Sequence, residues 1–343
     1  MRRTCLVLVL ATLIAGAGYA ALGTPNEPIT WSIVLNPYSN SSVSPYLVDV
    51  GGSGTTVFNP LAVPDVRRAI NRYIDRAFIR DNILPAGSAI AYSPVRIGVQ
   101  TSAQTITTPK NEFAVYLSNE HSFDIGRMYA GLSLWGSETE LLDEVNAALN
   151  AVKSGLPGLQ LVSLGAGLAD AWEYDNKYVE VTVLRPTNSP VLQAIATHVG
   201  GLLQKCGLAV TYCDNTKANL LNIAMSQDSA MHAQFKWSVY VEGWVMTDDI
   251  AESIPHISAA QAYSAAFSQS YSQTIPPYFQ TSAIDDIYRF MLYRFEGIGD
   301  GGDLLTLLSF LPDNDDAYWH LLTTEVMLGM ENAVRIFLGF QDN

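Results

Sequence analysis

The sequence predicts an α/β protein, and three observations carry that prediction. Tyr178 to Cys213 reads as a strand, a helix, a glycine stop and a second strand. Trp237 to Trp244, WSVYVEGW, reads as a further strand. Two amphipathic segments, 64–84 and 138–152, supply helices of a length suited to covering a sheet.

The first of these is the most specific. Val179, Val181 and Val183 alternate with Glu180 and Thr182, as in a strand with one buried face. Asn188 or Ser189 caps a helix that has Pro190 at its first position, where the missing N–H costs nothing. Val191, Leu192, Ile195, Val199, Leu202 and Leu203 form its inner face, Gly207 ends it, and Leu208 to Tyr212 follows as a strand. A strand, a crossover helix and a strand make a parallel pair. His198 flanks the apolar stripe, where a structural histidine is expected.

In Trp237 to Trp244 the expectation is that Trp237, Val239 and Val241 face one way and Ser238, Tyr240 and Glu242 the other. Asp248, Asp249 and Glu252 follow as a loop. Earlier in the chain, Trp31 to Leu35 reads as a short strand turned by Asn36-Pro37. Asn40-Ser41-Ser42 reads as a glycosylation sequon on a surface loop. Gly51-Gly52-Ser53-Gly54 is a turn without the helix and lysine of a phosphate loop.

The segment 64–84 reads as one long helix. Val66, Ala69, Ile70, Tyr73, Ile74, Ala77 and Phe78 recur at three and four residues, and Pro85 and Gly87 end it. Its other face carries Arg67, Arg68, Arg72, Asp75, Arg76, Arg80 and Asp81, read as solvated and laced by the pairs Asp65–Arg68 and Arg72–Asp75. Glu138 to Val152 is a second amphipathic helix, capped by Ser137 and stopped by Gly155, Pro157 and Gly158.

Composition bounds the function. The chain has 343 residues, 48% hydrophobic and 15% charged, enough to bury a sizeable core. A net charge of -14 argues against nucleic acid or an anionic membrane surface as partner. Met1-Arg2-Arg3, the apolar run from Cys5 to Ala20 and the small residues before Ala20 read as a signal peptide cleaved after residue 20, leaving 21–343 as the mature chain. An uncleaved anchor is the rival, since Thr4 to Leu22 is just long enough to span a bilayer. The chain is therefore expected to be exported. Cys206 and Cys213 fall at a helix end and a strand end, roughly 20 Å apart along extended chain, and read as buried thiols.

No catalytic constellation emerges. His121, His198, His232, His256 and His320 are scattered without an HExxH pair. Gly131 to Gly136 has one residue too many for a nucleophile elbow. Asp313 to Asp316 starts like a calcium loop, but Tyr318 stands where glycine is required. Asp249 and Glu252 leave a glycoside hydrolase as a minor rival. No cofactor is called for, and no enzyme activity is expected.

Three stretches carry a resemblance. Asp65-Val66-Arg67-Arg68-Ala69-Ile70-Asn71-Arg72-Tyr73-Ile74-Asp75-Arg76 resembles the "V-R-x-A-I-x-x-A-I-D-R" helix of the family 5 extracellular solute-binding proteins, the oligopeptide- and dipeptide-binding components of ABC importers. Leu202 to Val210 followed by Val239-Tyr240-Val241-Glu242-Gly243-Trp244 is similar to that family's helix, Gly-started strand and Gly-Trp strand end. Met330 to Phe337 resembles the family's last helix. The matches map to the second lobe of a bilobal protein, with the first lobe absent, truncated away or supplied by a separate chain.

The resemblance implies one lobe of a type II periplasmic-binding-protein fold, a mixed sheet flanked by helices. It implies capture of a peptide or oligosaccharide outside the cell and delivery to an ABC permease. In the family, an acid three residues beyond the Gly-Trp tryptophan meets the ligand's amino group. Here that position is Thr247 and Asp248 is one further on, which leaves sugars open beside peptides. The ligand contacts expected are Trp244, Tyr240, Asp248 and Asp249. A surface structural or adhesive protein built on the same lobe is the alternative.

Overall fold

The computed structural model describes residues 29–51, 54–91, 100–101, 104–105, 138–165, 170–224, 234–245 and 333–341. The leader (residues 1–20), Asp248, Asp249, Glu252 and the loop candidates at 131–136 and 313–316 lie outside the described residues.

In chain order the strands and helices are as follows. Ile29–Leu35 forms β1, Leu47–Val50 and Thr55–Phe58 form the hairpin β2–β3, and Pro64–Tyr73 and Arg76–Asn82 are α1 and α2. Ala89–Ile90 is β4, and Gln100–Thr101 with Gln104–Thr105 makes the small hairpin β5–β6. Glu138–Val152 is α3, and Leu159–Val162, Ala171–Tyr174 and Lys177–Tyr178 form the three-stranded meander β7–β8–β9. Glu180–Pro186 is β10, Pro190–Lys205 is α4, Ala209–Asn215 is β11 and Lys217–Ala224 is α5. Val239–Val245 is β12 and Arg335–Gln341 is β13.

The main sheet has six strands in the order β11-β10-β12-β1-β13-β4. β10 pairs in parallel with both β11 and β12, while β1 runs antiparallel to β12 and β13. The sheet is therefore mixed, and the β10–α4–β11 unit is the parallel crossover read from the sequence. At its helix end Gly207 takes φ +77°, which an L residue adopts only with strain. A Cβ there would also stand 2.7 Å from the Asp170 carbonyl oxygen.

One face of the sheet carries the main core. Ile33, Val181, Val183, Val241, Ile336 and Leu338 pack there against α1, α3 and α4 through Val66, Ile70, Leu149, Ile195 and Val199, all close to fully buried. At about 1.5–3 kcal/mol for each large aliphatic side chain, this face dominates the driving force for folding. The opposite face is smaller and mixed. Val34, Leu184 and Tyr240 pack there with Leu220 and Ala224 of α5, and with Trp237 and Val334.

Several sequence expectations need correction. The helix at 64–84 is two helices, broken at Ile74, whose backbone is extended (φ -62°, ψ 121°), and restarted by Asp75, whose carboxylate accepts from the Phe78 amide at 2.8 Å. In an unbroken helix Arg76 would lie beside Arg72, one turn on. The break turns it inward instead. Arg76 has no exposed surface and donates to Phe337 O (2.7 Å), Ala91 O (3.2 Å), Asn71 O (2.8 Å) and Asn71 Oδ1 (2.6 Å).

Arg67 is likewise buried and donates to Leu61 O at 2.7 Å and Ala62 O at 3.2 Å, so the arginine face is not uniformly solvated. Burial, and then the neighbouring Arg68 charge, push its guanidinium down to about 9. Asp65–Arg68 pairs as expected at 2.8 Å, whereas Arg72 reaches Glu144 of α3 at 3.0 Å.

Residues 335–337, expected at the end of a helix, are the start of β13. RIFLGFQ is almost wholly buried in the sheet interior, and a strand buried on both faces shows no alternation by which to tell it from a helix. Trp237 precedes β12 and packs on the Tyr240 side, not with Val239 and Val241. The sequon residue Asn40 is part-buried with its amide in use. It donates to Asp49 O at 3.2 Å and accepts from Asp49 N at 2.7 Å, fastening the loop to β2.

Candidate functional site

β10, β11 and β12 run parallel, and β13, antiparallel to β1 as β12 is, runs with them. Their carboxyl ends therefore lie along one edge of the sheet, and open α/β sheets place ligands outside that edge. The end of β12, at Trp244 and Val245, belongs to this edge. Trp244 pairs with Thr30 of β1.

Midway along the strands, the smaller sheet face carries buried polar groups. Ser32 Oγ donates to Glu242 Oε1 at 3.0 Å. Arg335 Nη2 of β13 approaches the same oxygen at 2.8 Å, as an ion pair outside hydrogen-bond alignment. The side chains of Glu242 and Arg335 are 3% and 1% exposed, so this is a buried ion pair and not a surface one. From the other side, Lys217 at the start of α5 directs its Nζ to the Gly243 carbonyl at 3.4 Å. Burial lowers the Lys217 ammonium and the Glu242 charge works against that shift.

Tyr240 lies two residues before Glu242 on β12. Its ring has no exposed surface, being enclosed by Val34, Leu184, Leu220, Ala224, Trp237 and Val334. Among the described residues its hydroxyl has no hydrogen-bond partner. Burial first, and then the Glu242 carboxylate, raise its phenol well above the usual range.

Along the same edge but on the main-core face, Arg185 of β10 forms a two-pronged pair with Asp214 of β11 (2.7 and 2.8 Å) and lies 4.0 Å over the Tyr212 ring. Asn188 accepts from the Lys217 amide at 2.8 Å and so ties the end of β10 to the start of α5. Among the described residues, no group of three or more His, Cys, Asp or Glu side chains could hold a metal ion, and no helix is long and apolar enough to cross a membrane.

The sequence matches no protein-family model and no curated protein. Solved structures do match. The chain superposes on a peptide-binding protein of a peptide ABC transporter with a TM-score of 0.50 and 13% identity, covering 92% of this chain and 100% of that one. It superposes equally well, TM-score 0.50 and 13% identity, on the mannohexaose-bound periplasmic oligopeptide-binding protein of Thermotoga maritima, covering 92% of this chain and 46% of that protein. This is the fold of one lobe of a periplasmic solute-binding protein.

The lobe spans under half the length of most such proteins that it matches. For the periplasmic murein tripeptide-binding protein MppA, with TM-score 0.47 and 13% identity, it covers 94% of this chain and 43% of that one. The two structures matched at TM-score 0.50 are binding proteins of ABC transporters. At this identity the likeness establishes the architecture of the lobe, a mixed sheet flanked by helices.

Of the expected contacts, Trp244 and Tyr240 share β12 on either side of Glu242, and Tyr240 is enclosed. Sequence reading put Glu242 on the correct face but gave it no partner, and did not single out Ser32, Lys217 or Arg335. A lone carboxylate in period with Ser238 and Tyr240 in an otherwise apolar strand was the available signal for Glu242. Nothing local marked Arg335, since its partner lies 93 positions away.

Proposed function

We propose that this chain captures a peptide or oligosaccharide outside the cell and delivers it to an ABC permease, without catalysing a reaction. The fold is the single observation that carries this reading. The Arg185–Asp214 pair and the end of β12 at the sheet's carboxyl edge support it, because that edge is where such sheets receive ligands. Trp244, Asp248 and Asp249 are the contacts proposed for the ligand, and Tyr240 stands behind them on β12. An aromatic face with carboxylates suits either an ammonium group or sugar hydroxyls. Export through the N-terminal segment, with cleavage after residue 20, completes the proposal.

The test is native mass spectrometry of the protein purified from its own source, followed by calorimetric titration with a nonapeptide and with mannohexaose. A co-purified small peptide or sugar, or saturable binding of either probe, supports capture and names the ligand class. A homopolymer that carries no ligand and takes up neither probe rejects it and favours a surface structural role. A turnover product from the oligosaccharide would reject the absence of catalysis.

A further inference from the structure

We propose that the Glu242–Arg335 ion pair is a positioning device, which fixes the register of β12 and β13 on β1 and with it the place of Trp244 in the ladder opposite Thr30. The idea rests on the reading of Trp244 as a ligand contact, but its geometry stands by itself. Glu242 and Arg335 are not on adjacent strands. β1 lies between β12 and β13, and Glu242 bonds the intervening strand through Ser32 before reaching Arg335. One carboxylate therefore straps three strands.

The strap crosses the place where the ladder is irregular. The register of β1 against β13 shifts between Trp31 and Ser32. A bulge lets backbone pairing slide, and a one-residue slip turns every side chain to the other face. Burying two charges is costly, and an apolar pair of the same volume generally serves stability as well or better. What an ion pair adds is discrimination, because a slipped register would leave a buried carboxylate and a guanidinium unmatched.

The next residue, Gly243, is held from the opposite side by Lys217 of α5. Glu242 and Gly243 are thus fixed by β1 and β13 on one flank and by α5 on the other. Trp244 follows them directly, about 7 Å along the strand from Glu242.

The experiment replaces the pair with an apolar one, Glu242→Leu with Arg335→Met, in protein labelled with 5-fluorotryptophan. The six tryptophans give a fluorine spectrum in which Trp244 is assigned by Trp244→Phe. The expected result is a double variant with unaltered melting temperature and the other five resonances in place, but with the Trp244 resonance split or broadened at least twofold. A Trp244 resonance as narrow and as placed as in the wild type overturns the proposal.

Should the double variant not fold, Glu242→Gln keeps the shape and removes the charge, and is read in the same way. Binding of the nonapeptide or mannohexaose is measured in parallel, and the affinity of whichever binds is expected to fall at least tenfold in the variant. If the wild type binds neither probe while the Trp244 resonance responds as expected, solute capture fails and the positioning role stands.

Discussion

Arg76→Met gives the sharpest test of the architecture, because sequence and structure assign Arg76 opposite environments. On a solvated helix face its loss would resemble that of any surface arginine. In the structure it is fully buried and joins three separated parts of the chain: the end of α1 through Asn71, the segment after β4 through Ala91, and β13 through Phe337. Each hydrogen bond from a charged donor contributes about 1.5–3 kcal/mol, and each buried carbonyl left unpartnered costs about 1–3 kcal/mol. Against this, removing the guanidinium relieves a desolvation penalty of several kcal/mol. A net loss of about 3 kcal/mol is expected. With a urea dependence of about 2 kcal/mol per molar, the midpoint falls by roughly 1.5 M. Arg68→Met is the control: its pair with Asp65 is exposed, and the change should stay within about 0.5 kcal/mol. Both are read by urea unfolding followed by circular dichroism. An Arg76→Met midpoint within 0.25 M of the Arg68→Met midpoint, on the order of the assay's scatter, would refute the buried assignment.

Three further outcomes follow from the same structure. Tyr240→Phe removes a buried hydroxyl that has no partner among the described residues, so it should leave thermal stability unchanged or raise it by up to about 1 kcal/mol; a loss above 1 kcal/mol would mean that the hydroxyl is satisfied. Burial pushes the Cys206 thiol from 9.0 up to about 12, so the folded state holds a proton that the unfolded chain releases. That contribution is complete below about pH 9 and is lost as pH rises toward 12, at up to about 1.4 kcal/mol per pH unit. Urea titrations of wild type and Cys206→Ala across that range should differ by this slope, and parallel curves would contradict it. Gly207→Ala meets both a positive φ and the Asp170 carbonyl, and should cost about 1–3 kcal/mol in the same urea assay, while a neutral result would show that the turn adapts.

Much of this fold was legible because local chemistry and global placement agree. The α4 helix shows why: Pro190 opens it, Gly207 closes it, and its 3.6-residue stripe is the face that the sheet buries. The Glu138–Val152 helix was legible for the same reason. β13 was not. A run such as RIFLGFQ, apolar on both sides, carries no period, and its strand identity comes from β1 and β4, one of them some 300 positions away. The break at Ile74 was hidden differently. The helical stripe continues unbroken through residue 78, whereas the backbone turns extended at Ile74 and Arg76 is carried inward.

The site follows that division between local and distant causes. Trp244 and the acids beyond it were visible as a local pattern, an aromatic strand end followed by carboxylates. The groups that hold that strand end were not, because Ser32, Glu242 and Arg335 come from three widely separated segments and meet only through sheet order. Arginine content by itself was misleading in both directions. The arginine-rich helix face includes two buried residues that donate to backbone carbonyls, Arg67 and Arg76, whereas Arg335, at the start of an apolar strand, reaches across β1 to the carboxylate of Glu242. In a sheet of this order, the informative property of a buried charge is which strands it joins. Glu242 joins the three whose alignment sets the place of Trp244 in the ladder.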